Sequence, residues 1–299
     1  MKNFEKKITF VVVCYNSHHI IEKCINSIKS NIKIIIVENS RDYPFKIYLE
    51  NKFTNVEVVI SGKNLGYGGG NNLGVLSVKT PYVFILNPDA ELTKNCLKEL
   101  YKASILLKNK FSILAPNLSN NYGYFFKKAK PKNLNKKNIL EVDYVKGFAM
   151  LINLKNINFI NIKKLFDKKI FLFLEEIDLC KRINELGGKI FIAIKSKIKH
   201  SARSASGHNL NIELCRNWHW MWSLFYYKKK HFGSLTAYKV TINKFISSII
   251  KFIFALLFFN RKKLLIHYYR LNGLCHAYSK KSSSFRPENI SVQFVKLFK

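Results

Sequence analysis

The chain has 299 residues, enough to bury a large core as one big domain or two smaller ones. Its 51 basic and 18 acidic residues leave a formal net charge of +33. That excess points to nucleic acid, a membrane surface or phosphorylated substrates, although a Lys-, Asn- and Ile-rich genome composition produces the same imbalance. The six cysteines, Cys14, Cys24, Cys96, Cys180, Cys215 and Cys275, show neither a CxxC pair nor regular spacing, so they read as reduced cytosolic thiols with no zinc site.

The N-terminus enters a strand at once and offers no signal peptide. Ile8 to Cys14 is a β-branched run suited to a strand buried on both faces, and Ser17 is a candidate N-cap for a helix from about His18 to Ser30. Lys33 to Val37 and Val56 to Ile60 predict two further strands, and Val83 to Asn87 a fourth, with helical segments between them. This alternation implies a mostly parallel sheet with right-handed crossovers. Thr93 to Lys110 predicts a helix, Phe111 to Leu118 a strand, Ser119 to Lys137 a polar loop and Val142 to Leu154 a strand. An apolar strand over Phe171 to Leu174 leads into the helix EEIDLCKRINELGG, and Lys189 to Ile194 is the last strand. From Leu210 onward the chain turns helical, aromatic and basic. Its longest apolar run, Phe245 to Phe259, is interrupted by Lys251 and is too short to span a bilayer comfortably. It reads as an in-plane amphipathic anchor or as a buried core helix.

Three stretches carry candidate chemistry. Gly62 to Gly74 follows a strand, but its glycines miss the dinucleotide-binding spacing: Asn71 and Leu73 stand where G-x-G-x-x-G needs glycine, and no P-loop lysine-serine ending is present. The stretch reads as an amide-rich turn able to approach a diphosphate through Asn64, Asn71 and Asn72, or as a plain tight turn. Asn87-Pro88-Asp89 ends the fourth strand, because proline cannot extend the ladder, and leaves a carboxylate at the sheet edge. Such a carboxylate can hold Mg²⁺ or Mn²⁺ with few protein ligands, or merely shape a turn. Glu175, Glu176 and Asp178 open a helix, where acids also complement the dipole and Asp178 can pair with Arg182. The apolar residues just before them favour a carboxyl of raised pKa, with Glu176 ahead of Glu175 as a general base. His200 after the last strand is ligand or scaffold. Trp218, His219, Trp220 and Trp222 have the spacing of helix packing or an interfacial belt rather than of a base-stacking platform.

As an ordered set, VVVCYNS, IIIVENS, GKNLGYGGGNNLGV, FILNPDAEL, VKGFAMLI, FLFLEEIDLCKRINELGGKI and KHSARS resemble family 2 glycosyltransferases, in particular the bacterial rhamnosyltransferases of cell-surface polysaccharide synthesis. The resemblance covers about residues 8 to 206. It implies an α/β GT-A fold, a Rossmann-like nucleotide-binding mixed sheet flanked by helices, with a C-terminal helical, basic-aromatic extension. The implied domains are a catalytic domain over 1–206 and a membrane-associating helical region over 207–299. Cys14, Tyr15 and Asn16, with Glu38 and Asn39, would flank the nucleoside, and Asn64 and Gly66 would line the donor pocket. Asn87 and Asp89 stand at the Asp-x-Asp metal motif, with the neutral Asn87 weakening metal affinity. Glu176 stands at the presumed base, Asp178 at the following acid, and His200 at a histidine that assists the metal or diphosphate. Glu38 and Glu176 replace the usual Asp, each lengthening the arm by about 1.5 Å.

These readings lead to one expectation: inverting transfer of a sugar, with rhamnose favoured, from a nucleotide-diphosphate sugar to a hydroxyl of a cell-surface glycan or lipid-linked oligosaccharide. A divalent metal would serve at Asp89 and His200, an anionic membrane surface would hold the tail on the cytoplasmic side, and no nucleic acid would be bound. The rivals are a nucleotidyltransferase such as a sugar-nucleotide pyrophosphorylase, and a basic nucleic-acid-binding protein. The scattered basic residues, which form no known binding module, count against the latter. Oligomeric state is not legible.

Overall fold

The computed structural model describes residues 2–119, 138–201, 205 and 209–289. They pack as two compact units, Met1–Asp167 with Glu175–Gly207, and Lys168–Leu174 with His208–Lys299. The second unit therefore recruits a short excursion that the sequence reading leaves in the first domain. Within it, Ser223 Oγ donates to the Leu172 carbonyl at 2.8 Å and the Arg286 guanidinium lies 3.6 Å from the Phe171 ring centroid.

The first unit is built on one mixed sheet whose strands, in chain order, are β1 (Ile8–Cys14), β2 (Ile34–Glu38), β3 (Val56–Ile60), β4 (Tyr82–Leu86), β5 (Ala90–Leu92), β6 (Ile113–Leu118), β7 (Ile139–Glu141), β8 (Ala149–Asn153) and β9 (Ile190–His200). Their spatial order is β3-β2-β1-β4-β8-β6-β9-β5, with β7 paired to β9. The first four run parallel, whereas β8 lies antiparallel to both β4 and β6. Helices α1 (Lys2–Glu5), α2 (Ile21–Ser27), α3 (Tyr43–Lys52), α4 (Gly66–Leu76), α5 (Cys96–Leu106) and α6 (Glu175–Glu185) accompany the sheet. Successive β1 residues serve opposite cores: Phe10 and Val12 pack in one cluster, Val11 in the other. A strand covered on both faces needs an unbroken apolar run, which is why these strands show in the sequence.

Several local expectations fail. The helix expected from His18 starts at Ile21, and Ser17 does not cap it: its hydroxyl donates to the Ala205 carbonyl at 2.6 Å. The glycine-rich stretch, read as an amide-rich turn, is already helical from Gly66. The strand expected from Val142 is confined to Ala149–Asn153. Phe171 to Leu174 is no strand, because Phe173 and Leu174 both take left-handed backbone angles, φ 69° each. The lysine-rich loop expected after Ser119 falls almost wholly outside the described residues.

The second unit is dominated by α7 (Leu210–Leu257) and α8 (Arg261–Tyr278), which pack along one another. Gly233, at φ 84° and ψ 164°, interrupts α7. Trp218 and Trp222 join its apolar core with Leu214, Met221 and Phe225, so these aromatics are packing residues.

Candidate active site

Parallel register brings separate motifs to one sheet edge. Cys14 is opposite Glu38, Glu38 opposite Ile60, and Val12 opposite Leu86, so the C-terminal ends of β1 to β4 finish together. In an open α/β sheet that edge is where ligands bind. The side chain of Cys14 does not reach it: the thiol is sealed in the core, and its backbone carbonyl accepts from Asn39 N–H at 2.9 Å. Tyr15 is half-buried and Asn16 exposed at the edge, the latter with φ 53°. Glu38 is fully buried, with Oε1 accepting from the backbone and hydroxyl of Ser40 while Oε2 is buried without a partner. Burial pushes its pKa up.

The Asn87-Pro88-Asp89 turn closes with Ala90 N–H donating to the Asn87 carbonyl at 3.1 Å. Proline supplies the fixed φ that the second turn position favours. Ala90 then opens β5, which pairs antiparallel with β9 so that Ala90 faces His200. This register delivers His200 Nε2 to 3.1 Å from Asp89 Oδ1, with Asp89 only 4% exposed. Phe148 stacks on the imidazole at 4.6 Å between ring centroids. The sequence contained both residues, yet nothing short of the β5–β9 register joins them. Asn87 is half-buried, its backbone N–H donating to the Phe148 carbonyl at 2.9 Å.

The acid cluster at the start of α6 separates into three roles. Asp178 is fully buried and takes the Arg182 Nε hydrogen bond at 2.8 Å, while the same guanidinium also donates to the Leu165 carbonyl. This is the ion pair that the one-turn spacing of Asp178 and Arg182 offers as the alternative to a catalytic role. Glu175 is 3% exposed with Oε2 unpartnered, and burial together with Glu176 holds its pKa well above the usual range. Glu176 is the more accessible of the two; burial raises its pKa, while Lys146 and the backbone amides of Glu176, Ile177 and Gly147 pull it down. A carboxyl that is partly open, raised by burial and held by amides has the attributes of a general base.

Helix α4 connects the donor edge to these acids. A Cβ on Gly70 would stand 2.7 Å from Val13 Cγ1, and one on Gly74 2.5 Å from Val11 Cγ1, so both positions need glycine for the helix to lie on the sheet. A Cβ on Gly68 would meet Phe166 Cβ at 3.0 Å and Glu175 Cβ at 3.5 Å. The asparagines of this helix are struts. Asn72 exchanges two 2.8 Å hydrogen bonds with the Phe166 backbone, and Asn71 Nδ2 donates to the Tyr67 carbonyl at 3.0 Å. Both are buried. Asn39 likewise brackets the helix start, donating to the Gly66 carbonyl at 3.1 Å, and Asn64 Oδ1 accepts from Gly66 N–H at 3.0 Å. The sequence offers Gly147 in VKGFAMLI as a point of close backbone approach, and there a Cβ would lie 2.9 Å from the Tyr67 hydroxyl and 3.3 Å from Glu176 Cβ; sequence reading missed Tyr67 itself, whose hydroxyl donates to the Gly147 carbonyl. The tyrosine inside a glycine run was the available signal, because a bulky residue there must have a partner.

Residues 9–168 match the model of the family described as Glycosyl transferase family 2. The low-salt glycan biosynthesis hexosyltransferase Agl10 of Haloferax volcanii is 25% identical over 196 residues, 58% of this chain and 61% of the relative. The chain thus spans about three fifths of that relative's length. The crystal structure of GalNAc-T7 with UDP, GalNAc and Mn²⁺ superposes at TM-score 0.53 and 14% identity, over 64% of this chain and 42% of that one, a likeness of fold. The mixed sheet, its helices and its strand-end edge are those of the GT-A architecture, and by the family match over more than half its length this chain belongs to glycosyltransferase family 2.

Proposed function

We propose that the chain is an inverting hexosyltransferase that moves a sugar from a nucleotide-diphosphate donor to a hydroxyl of a cell-surface glycan or lipid-linked oligosaccharide, with rhamnose the sugar favoured by the sequence resemblance. The observation that carries the proposal is the division of acids between two stations, Asp89 beside His200 and Glu176 at the head of α6. The first is built from strand ends, the second from a helix start. Tyr15, Asn16, Glu38, Asn64 and Gly66 lie toward the donor side of this arrangement.

The donor atoms at the first station fit a divalent ion. A buried carboxylate and an imidazole meet there, and among the described residues no group of three or more His, Cys, Asp or Glu forms a closed protein cage. Asp89 and His200 would hold Mg²⁺ or Mn²⁺ while water and diphosphate oxygens complete the shell. The ion would supply positive charge against the negative charge developing on the diphosphate.

Glu176 Oε accepts the proton of the acceptor hydroxyl as that oxygen forms its bond to the anomeric carbon. The bond from that carbon to the diphosphate oxygen breaks, and its electron pair leaves with the nucleoside diphosphate. A single displacement inverts the anomeric centre. Gly147 and the first amides of α6 hold the carboxylate in place, and burial raises its proton affinity, the direction a general base needs. A nucleotidyltransferase would instead release pyrophosphate from a sugar phosphate and a nucleoside triphosphate, so product analysis separates the two.

The test combines donor-panel turnover with variants. Glu176→Gln is expected to lose about 10²-fold or more in kcat with donor binding retained. Asp89→Ala is expected to lose metal-dependent donor binding, read by thermal protection. Undiminished turnover in either variant overturns the corresponding role.

The tail extends the proposal to location. Among the described residues one helix, Leu210–Leu257, is long and apolar enough to cross a membrane, with mean hydropathy 1.7 over an 18-residue window and 17% of that window buried. The buried-core alternative for this stretch conflicts with that exposure. We read the second unit as a peripheral anchor on the anionic inner face of the cytoplasmic membrane, recovered in the membrane fraction at low salt.

A further inference from the structure

The exposed side of α7 after Gly233 is an apolar face with no covering element among the described residues. Ile242, Ile246, Ile249, Ile250, Ile253 and Leu257 recur at helical spacing and are all exposed, Leu257 by 64%. The turn beyond them adds Phe258 and Phe259, the latter 90% exposed. On the opposite side of the same helix, Ala237, Thr241, Ser248 and Ala255 are buried. Their short side chains let α8 approach closely, and Thr241 Oγ1 and Ser248 Oγ turn their hydrogen bonds back onto the helix carbonyls of Ala237 and Lys244. The small residues therefore face the protein and the large apolar ones face outward, the reverse of a water-soluble helix.

The charge pattern identifies the occupant. Between Glu213 and Glu288 the sequence contains no acidic residue, while Arg261 and Lys263 follow the tip of the apolar face and Lys262 pairs with Glu213 at 2.8 Å. A second copy would bring the same cations together with no acid on this stretch to answer them. An anionic lipid surface answers both the charge and the grease.

We propose that α7 from Ile242 to Phe259 lies in the plane of an anionic bilayer, its isoleucine face in the interfacial layer and α8 on the side away from lipid. The inference rests on the membrane reading above and specifies face and depth. A crossing orientation is disfavoured because α8, packed along α7, would carry Arg261, Lys263, Arg270 and His276 into hydrocarbon with it.

The chain supplies its own control probe. Cys275 on α8 is exposed while the other five cysteines are buried. The experiment labels full-length protein with an environment-sensitive fluorophore at Cys275, or at residue 250 in Ile250→Cys/Cys275→Ser. Each is mixed with phosphatidylcholine vesicles with or without phosphatidylglycerol, carrying nitroxide-labelled lipid chains. The expected result is pelleting with anionic vesicles only, quenching at 250 strongest for nitroxides near the headgroups, and none at 275. Ile250→Asp is expected to weaken vesicle binding about tenfold, with donor hydrolysis in solution unchanged. Binding without quenching at 250 overturns the assigned face while leaving membrane association intact. Deep-chain quenching at both positions overturns the in-plane orientation. Absence of pelleting at low salt overturns the membrane reading and this inference with it, and protection of residue 250 in a lipid-free dimer assigns the face to a second copy instead.

Discussion

Acids at a helix start ordinarily profit from the dipole, yet Glu175 is placed where burial overrides that benefit. Its Oε2 is enclosed without a partner, its neighbour Glu176 is a like charge, and both effects raise its pKa. The folded state therefore holds this proton more tightly than the unfolded chain does. By linkage, the stabilisation is complete below the ordinary carboxyl range near 4.5 and is lost as pH rises toward the folded pKa. Glu175→Gln, which cannot ionise, is expected to raise stability by about 1–3 kcal/mol at alkaline pH, with the gain vanishing near pH 4. Thermal melts across that range test it, and a constant offset at every pH would show that Glu175 is neutral or partnered throughout. Enzymes commonly accept such a cost at a reacting centre, and Phe173 and Leu174, both left-handed just before it, are a second local expense.

At the scale of elements, legibility followed how much of each element's cause is local. The parallel strands were visible because burial on both faces demands continuous apolar runs, and Asp178 with Arg182 was foreseeable from one-turn spacing. Helix α4 was not, since five of its first nine residues are glycine and propensity argues against helix there. Its cause is tertiary: only a helix without side chains on that face fits against Val11, Val13 and Val37. The Asp89–His200 contact was equally hidden, because strand register across 111 positions of chain cannot be read from either residue. The stretch 171–174 has strand-like composition but serves as a bend, so pattern alone misassigned it. Close packing of α4 has a direct test in Gly74→Ala. Alanine improves helix propensity by about 1 kcal/mol, but its Cβ would lie 2.5 Å from Val11 Cγ1 and 2.9 Å from Val37 Cγ2. Overpacking costs about 1–3 kcal/mol, so denaturant unfolding is expected to show net loss of stability, and a gain would place the helix farther from the sheet.

Across the whole molecule, the two units carry buried ionisable groups of opposite sign dependence. The first holds Glu38, Glu175 and Glu176, all with raised pKa values, so acidification toward the carboxyl range relieves it. The second holds His219, fully buried beside Arg286, with Nε2 donating to the Phe285 carbonyl at 2.8 Å and Nδ1 unpartnered. Burial lowers its pKa from 6.5 to about 3. Between those values the unfolded chain binds a proton that the folded unit refuses, so stability falls as pH drops, by up to about 1.4 kcal/mol per pH unit. The chain's three tryptophans, Trp218, Trp220 and Trp222, all lie in the second unit, making their fluorescence a reporter for it alone. On going from pH 7 to 5, the unfolding midpoint read by tryptophan is expected to fall while the sheet signal in far-ultraviolet circular dichroism holds or rises. His219→Gln is expected to flatten the fluorescence trend. Parallel movement of both signals would mean that the two units unfold as one and that His219 does not govern the acid limb.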